Sequence, residues 1–291
     1  MSTIKKYLSL VKFAHTIFAL PFAMIGFALG VKAVYQQHIV VGEIVLKLLL
    51  VLVCMVSARS AAMAFNRYLD RHFDAKNPRT AIREIPRGII SPGSALRFTI
   101  INCVIFIIAT YFINSLCFVL SPVALFVILF YSYTKRFTAL CHLVLGLGLS
   151  LAPIGAYLAV TGVFNLLPIL FSIAVITWVS GFDIIYAMQD VDFDNSEKLH
   201  SIPTFLGKTN ALHTSEFLHL ISAASVVFAG VYGHFGFLYW LGIAVFMGML
   251  VYQHLLVRPN DLSKVDIAFM TANGIASIVF GILVIADVII F

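Results

Sequence analysis

Two short stretches of the chain carry aspartates paired four positions apart: Asp70 with Asp74, and Asp190 with Asp194, 120 residues further on. In a helical run, positions four apart lie on one face, so each pair directs two carboxylates into the same space. Like charges so placed resist ionisation unless a cation sits between them. With Asn66 one turn before Asp70, the acids make a hard-oxygen donor set suited to Mg2+, which takes one or two carboxylates plus waters and a substrate phosphate. Bases crowd the same stretches: Arg67, Arg71, Arg79, Arg83 and Arg87 in the first, Lys198 and Lys208 in the second, with Lys135 and Arg136 between them. Arginine and lysine donate to phosphate oxygens. Acids for a metal and bases for an anion, brought to one spot, read as a diphosphate site.

The elements that must position these residues are apolar. The 291 residues are 61% hydrophobic and 11% charged, with a mean hydropathy of +1.01. A run of about 20 apolar residues spans a bilayer as a helix, and nine candidates occur, near 12–34, 44–65, 95–115, 117–134, 141–161, 167–188, 211–232, 236–256 and 267–290. The expected architecture is therefore all-α, an integral membrane bundle of about nine transmembrane helices forming a single domain over residues 1–291. The division of the third span from the fourth rests on Asn114.

Cytoplasmic loops accumulate Lys and Arg. Alternate connections give one side Lys5 and Lys6, the 66–94 loop, Lys135 and Arg136, the 189–210 loop, and Arg258 with Lys264; the opposite loops near 35–43, 114–116, 162–166 and 233–235 hold neither residue. The N-terminus and both acidic stretches are thus expected in the cytoplasm, and Phe291 on the far side. Net charge of +6 then reflects membrane topology, helped by anionic lipid, and is poor support for nucleic-acid binding. The first 30 residues have the basic-then-apolar order of a signal peptide, but the apolar part outruns a usual h-region, so an uncleaved first helix is expected. Cys54, Cys103, Cys117 and Cys141 form no close pair and read as packing residues.

The two acidic stretches echo one another. Each follows an apolar helix, and each continues to an Ile-Pro step, Ile85–Pro86 and Ile202–Pro203, then a glycine flanked by bases. Two four-helix pseudo-repeats plus a ninth helix would account for that. A lone Asp pair in a loop is ordinarily a solvated face, and loop bases ordinarily report topology alone; two pairs at helix exits weigh against both. His72 and His200 read as solvated loop residues, while His15, His142, His219 and His254 read as hydrogen-bonded bundle-interior groups. A membrane carrier remains a rival, with Asp183, Glu216 and Asp287 as its internal acids.

At these residues the sequence resembles the UbiA superfamily of intramembrane aromatic prenyltransferases. The family's first motif, Asn-Asp-x-x-Asp-x-x-x-Asp, is matched by Asn66, Asp70 and Asp74; its second, Asp-x-x-x-Asp after a Tyr-Ala step, by Tyr186, Ala187, Asp190 and Asp194. Its Tyr-x-x-x-Lys is matched by Tyr131 and Lys135, and the segment NPRTAIREIPRG, Asn77 to Gly88, resembles the quinone-pathway branch. One departure is Arg67, where many members carry a second Asp. The resemblance implies two Mg2+ ions held by Asp70, Asp74, Asp190 and Asp194 with help from Asn66, bridging a polyprenyl diphosphate gripped by Lys135, Arg79 and Arg83. It implies transfer of the polyprenyl group to 4-hydroxybenzoate or a dihydroxynaphthoate, in ubiquinone or menaquinone biosynthesis at a bacterial inner membrane. Arg136, Tyr186 and Lys208 are further candidates for substrate binding, and Tyr131 for catalysis. Asp183, one turn before Tyr186 and deeper in its helix, is expected to orient the aromatic acid acceptor or to hold the metal-bound site.

Overall fold

The computed structural model describes residues 3–11, 18–34 and 40–291; residues 12–17, with His15, and 35–39 lie outside the described residues. In order, the helices are α1 (Thr3–Leu10), α2 (Leu20–Val34), α3 (Val41–Leu69), α4 (Arg71–Lys76), α5 (Pro92–Ile113), α6 (Ser115–Thr134), α7 (Cys141–Thr161), α8 (Leu166–Ala187), α9 (Val191–Ser196), α10 (Ile202–Tyr232), α11 (Phe237–Leu256) and α12 (Asn273–Ile290). No β-strand occurs among the described residues. Eight helical segments are long and apolar enough to cross a membrane, and the shorter apolar α2 is the ninth member of the bundle. The boundaries follow local chemistry. Asn114 takes an extended conformation (φ −169°, ψ 167°), and its side chain accepts from the Cys117 amide at 2.8 Å and donates to the Leu158 carbonyl at 2.8 Å. One residue thereby ends α5, starts α6 and ties both to α7.

Helix α8 is the axis, packed most extensively against α7 and α10. Lipid supplies no hydrophobic drive between helices, so close packing and interhelical hydrogen bonds must hold them. Serines serve here as donors to carbonyls on neighbouring helices: Ser172 to Ser150 at 2.8 Å, Ser180 to His142 at 3.0 Å, Ser215 to Gly181 at 2.7 Å and Ser222 to Ala174 at 2.9 Å. Each such bond contributes about 0.6 kcal/mol on average. Glycines set the spacing: a Cβ on Gly146 would meet the Ile176 carbonyl, and one on Gly181 would meet the His219 ring. Around Trp178, an interlocked set of Phe22, Phe171, Phe246 and Phe280 fills the centre, with centroid spacings of 5.2–6.4 Å.

Two interior histidines are structural, as expected: His219 Nδ1 and His254 Nε2 share a 2.7 Å hydrogen bond, and His219 Nε2 lies 3.2 Å from the Trp178 carbonyl. Before α12, residues Ile267–Ala272 form a π-helical turn, and Asn273 serves both of its sides. Its amide donates to the Ala268 and Phe269 carbonyls at 3.1 Å each, and its oxygen accepts from the Trp178 indole at 2.9 Å. The turn presents Phe269 to Tyr186, with ring centroids 4.3 Å apart. All four cysteines are free.

Candidate active site

Both acidic stretches sit where a long helix breaks into a short one. Asp70 ends α3 and begins the six-residue α4, which carries Asp74; Asp190 ends a 3-10 turn after α8 and begins the six-residue α9, which carries Asp194. The expected single helical run is therefore interrupted at the first acid of each pair. Spacing survives in the first stretch because the Asp74 amide still donates to the Asp70 carbonyl at 2.8 Å. The break turns the short helix across the bundle end and buries the second acid, with Asp74 5% and Asp194 2% exposed.

The four acids meet four cations one to one. Arg136 lies 2.9 Å from Asp70, Arg83 2.6 Å from Asp74, Lys135 2.9 Å from Asp194, and Arg79 forms a close two-point pair with Asp190. Two of these pairs join the first half of the chain to the second, as do Asn77, donating to Asp190 at 3.1 Å, and Lys76, at 2.8 Å from Glu197. The Arg79 guanidinium also donates to the Tyr186 hydroxyl at 3.0 Å, and the Asn66 amide donates to Asp70 at 3.1 Å.

All four acids, with Asn66, Arg79, Arg83, Lys135, Tyr131, Asp183 and Tyr186, line one cavity of about 680 Å³. Arg136 stands outside that lining, with its guanidinium 5.5 Å from the Phe73 ring centroid, and reaches the site only through Asp70. Lys208 is not in the lining either. It follows Gly207, whose φ of 77° kinks the start of α10, and this part of the helix faces outward. Arg71 donates to the Tyr68 carbonyl at 2.7 Å and stacks on its ring; His72 and His200 are exposed, as expected, although His72 lies on α4 and not in a loop.

Arg67 is buried at 3% exposure, with Nε and Nη1 lacking a hydrogen-bond partner, within electrostatic reach of Asp74, Glu84 and Arg83. This edge of the site thus supplies a cation where many UbiA-type motifs have a carboxylate.

Burial pushes the Asp70 carboxyl up to about 6, with Asp74 adding to the rise and Lys135 and Arg136 opposing it. For Lys135, burial acts to lower the ammonium, but the Asp194 carboxylate outweighs it and holds the group above the ordinary lysine range. Among the described residues, no three His, Cys, Asp or Glu side chains already converge as a metal-ligand cluster, because the acids are turned to their cations. The donor set nonetheless suits a hard cation: every candidate ligand is oxygen, and Asp74 Oδ2 is buried without a hydrogen-bond partner.

The sequence assigned no site role to three groups that the structure places there. Asn77 holds Asp190 and, through its own Oδ1, the Arg79 amide at 3.0 Å. His142 Nδ1 lies 2.7 Å from Asp183. Arg59 lines the polar cavity and also a second, almost wholly apolar cavity of about 420 Å³ between α3, α5, α6 and α7. The two cavities share Arg59, Met63, Tyr131, Leu145 and Leu149, and Val123 and Phe164 both line the apolar one and face outward from the bundle. For Asn77 the signal was its place in the NPRTAIREIPRG segment. For His142 and Arg59, only the rarity of charge inside apolar spans pointed to them.

Of the acids that a carrier would use, Asp287 instead caps α11, accepting from the Gly236 amide at 2.8 Å and the Tyr239 amide at 3.1 Å. Glu216 lies on the outside beside His213 at 3.0 Å. Asp183 lines the polar cavity.

Fold and site together define a helical membrane bundle that holds an acid-and-base chamber beside an apolar one, the two sharing lining residues on α3, α6 and α7. The model of the UbiA prenyltransferase family matches residues 17–275, and the chain belongs to that family. It is 29% identical to the 4-hydroxybenzoate octaprenyltransferase of Tolumonas auensis over 222 residues, covering 76% of this chain and 77% of that one. It is also 29% identical to the enzyme of the same name from Nitrosospira multiformis over 233 residues, 80% of each chain. Among solved structures, the apo form of a UbiA homologue from Aeropyrum pernix K1 superposes with a TM-score of 0.78 at 28% identity, covering 95% of this chain and 97% of that one. A UbiA homologue from Archaeoglobus fulgidus bound to GPP and Mg2+ shares the fold, with a TM-score of 0.72 at 20% identity over 98% of this chain and 100% of that one.

Proposed function

We propose that this prenyltransferase moves a polyprenyl group from a prenyl diphosphate to a ring carbon of a hydroxylated aromatic acid, 4-hydroxybenzoate or a dihydroxynaphthoate, in ubiquinone or menaquinone biosynthesis. The observation that carries this reading is the junction of the two cavities, four acid–cation pairs on one side and an apolar channel on the other. The relatives from Tolumonas auensis and Nitrosospira multiformis are named for 4-hydroxybenzoate, which favours that acceptor.

Asp70, Asp74, Asp190 and Asp194, with Asn66, would hold two Mg2+ ions. When bound, the metal supplies positive charge to the leaving diphosphate. The four acids and the four cations neutralise each other. A magnesium diphosphate brings both signs, so Arg79, Arg83 and Lys135 can turn from carboxylate to phosphate oxygen with no charge left bare. These donors stabilise the charge that develops as the allylic C–O bond breaks. The apolar chamber takes the polyprenyl tail, entering from lipid beside Val123 and Phe164, and excludes water that would capture the allylic cation. The rings of Phe182, Phe269 and Tyr186 line the polar chamber where they can face that cation. The site opens to the cytoplasm of a bacterial inner-membrane protein, with Phe291 on the far side, and the pseudo-repeat origin of the two acidic stretches fits their matching helix breaks.

The test is to incubate membranes containing the protein with Mg2+, a prenyl diphosphate and either 4-hydroxybenzoate or a dihydroxynaphthoate, with a chelator control, and to detect product by mass spectrometry. A metal-dependent prenylated acid is expected. Absence of product from both rings with short and long prenyl diphosphates would overturn the reading.

A further inference from the structure

Four cations at the chamber close on four acids, and a fifth, Arg67, does not. Its side chain lines the polar cavity at 3% exposure, with Nε and Nη1 buried and without a hydrogen-bond partner. Asp74 and Glu84 lie within its electrostatic reach, and each is engaged elsewhere. Asp74 turns Oδ1 to Arg83 at 2.6 Å, and Glu84 Oε1 accepts from the Ser9 hydroxyl at 2.5 Å. Ser9 belongs to α1, which is seated on the bundle by Leu10, packed with Ala64, Ile85 and Ala95, and by Tyr7, whose ring centroid lies 4.7 Å from that of Phe98. The docked helix thus keeps Glu84 near Arg67 as a counter-charge while Glu84 Oε2 and the two guanidinium nitrogens all stay open.

A buried charged group is ordinarily hydrogen-bonded throughout, because an open donor forfeits its water and gains nothing in return. A guanidinium with open donors at a cavity wall is set to receive an anion, and its planar N–H groups match phosphate oxygens. Arg79, Arg83 and Lys135 can grip phosphate only by leaving a carboxylate. Arg67 can do so with every existing pair intact. We propose that Arg67 is the docking cation for the phosphate head of the prenyl substrate, taking a phosphate oxygen without help from metal, and that Ser9 positions Glu84 so that the guanidinium stays open. The inference deepens the prenyl-transfer reading and rests on it. No covalent bond changes in this step; it fixes where the head lands, beside Asp74, whose Oδ2 is likewise buried without a partner. A carboxylate at position 67, as many UbiA-type motifs have, would repel a bare phosphate. Metal-free docking therefore follows from the arginine of this chain.

The experiment uses full-length protein in nanodiscs and measures binding by calorimetry, with a chelator or with Mg2+. The probes are farnesyl thiolodiphosphate, whose C–S bond resists cleavage, and farnesol as the headless control. In chelator the unmodified protein should bind the thiolodiphosphate roughly tenfold or more tighter than farnesol. Arg67→Gln should lose roughly tenfold for the thiolodiphosphate in chelator and less than about twofold for farnesol, a split that a general packing defect would not produce. Arg67→Lys should recover part of the loss. Ser9→Ala, which lets Glu84 close on Arg67, should weaken the thiolodiphosphate roughly threefold in chelator, and an unchanged value would remove Ser9 from the proposal. Equal affinity of the unmodified protein for the two probes in chelator would overturn the proposal even if the Arg67 variants fail to fold. Unchanged thiolodiphosphate affinity in folded Arg67→Gln would overturn it as well, while metal-dependent prenyl transfer by the unmodified protein keeps the transferase reading. No thiolodiphosphate binding even with Mg2+, together with no transfer product, would remove both readings.

Discussion

Arg79 and Asp190, 111 positions apart, meet as fork on fork: the guanidinium Nε donates to one carboxylate oxygen at 3.0 Å and Nη2 to the other. The pair couples the loop after α4 to the end of α8, and Arg79 also stacks against Tyr186, its guanidinium carbon 5.2 Å from the ring centroid. Lysine keeps the charge but lacks the planar fork. Arg79→Lys should lower kcat/KM for the prenyl diphosphate on the order of tenfold, about 1.4 kcal/mol, with the acceptor KM unchanged. Steady-state kinetics with each substrate varied in turn would check it.

Removing a proposed ligand charge should be harsher. Asp70→Asn and Asp190→Asn keep shape and lose charge, and each should reduce Mg2+-dependent turnover by a factor on the order of 10³. Size-exclusion profiles and helical circular dichroism should match the unmodified protein. Full turnover in either variant would remove that residue from the metal site.

Asp70 also sets a pH dependence. With its carboxyl raised to about 6, the group is largely neutral below that pH and ionised above it. A metal needs the ionised form and competes with the proton. The Mg2+ concentration for half-maximal activity should therefore rise as pH falls from 7.5 to 5.5, and return on readjustment. A flat Mg2+ requirement across that range would show that Asp70 does not ligate.

Lys208 offers the opposite test. It stands outside the chamber beyond the Gly207 kink. Lys208→Ala should leave the KM for prenyl diphosphate within twofold, and a larger rise would place its side chain on the substrate.

The packing of α8 on α10 yields a stability prediction. A methyl group on Gly181 would meet the His219 ring, which His254 and the Trp178 carbonyl hold in place. Overpacking of this kind costs about 1–3 kcal/mol. Gly181→Ala should lower the thermal midpoint in detergent, while Gly155→Ala, where a Cβ meets nothing within 4 Å, should not.

Hydrophobic runs located most membrane helices closely, helped where a boundary is marked by a capping residue such as Asn114 or Ser201. The start of α10 was less legible. Polar residues from Ser201 to Asn210 read as loop, yet Ser201 and Thr204 form a reciprocal cap that begins the helix nine residues earlier than hydropathy suggests. The acids were legible as pairs, since spacing alone aligns them. Their partners were not, because an arginine's reach across a bundle depends on which short helix turns inward, and periodicity does not record that turn. Arg136 and Lys208 illustrate the limit: both sit beside motif residues in sequence, but one acts from behind Asp70 and the other faces away.

Arg79 with Asp190 and Lys135 with Asp194 each take one member from either half of the chain. The two halves are thus clasped at this end of the bundle by charge, whereas its interior clasps them by ring packing, Phe22 on Trp178 and Trp178 on Phe246.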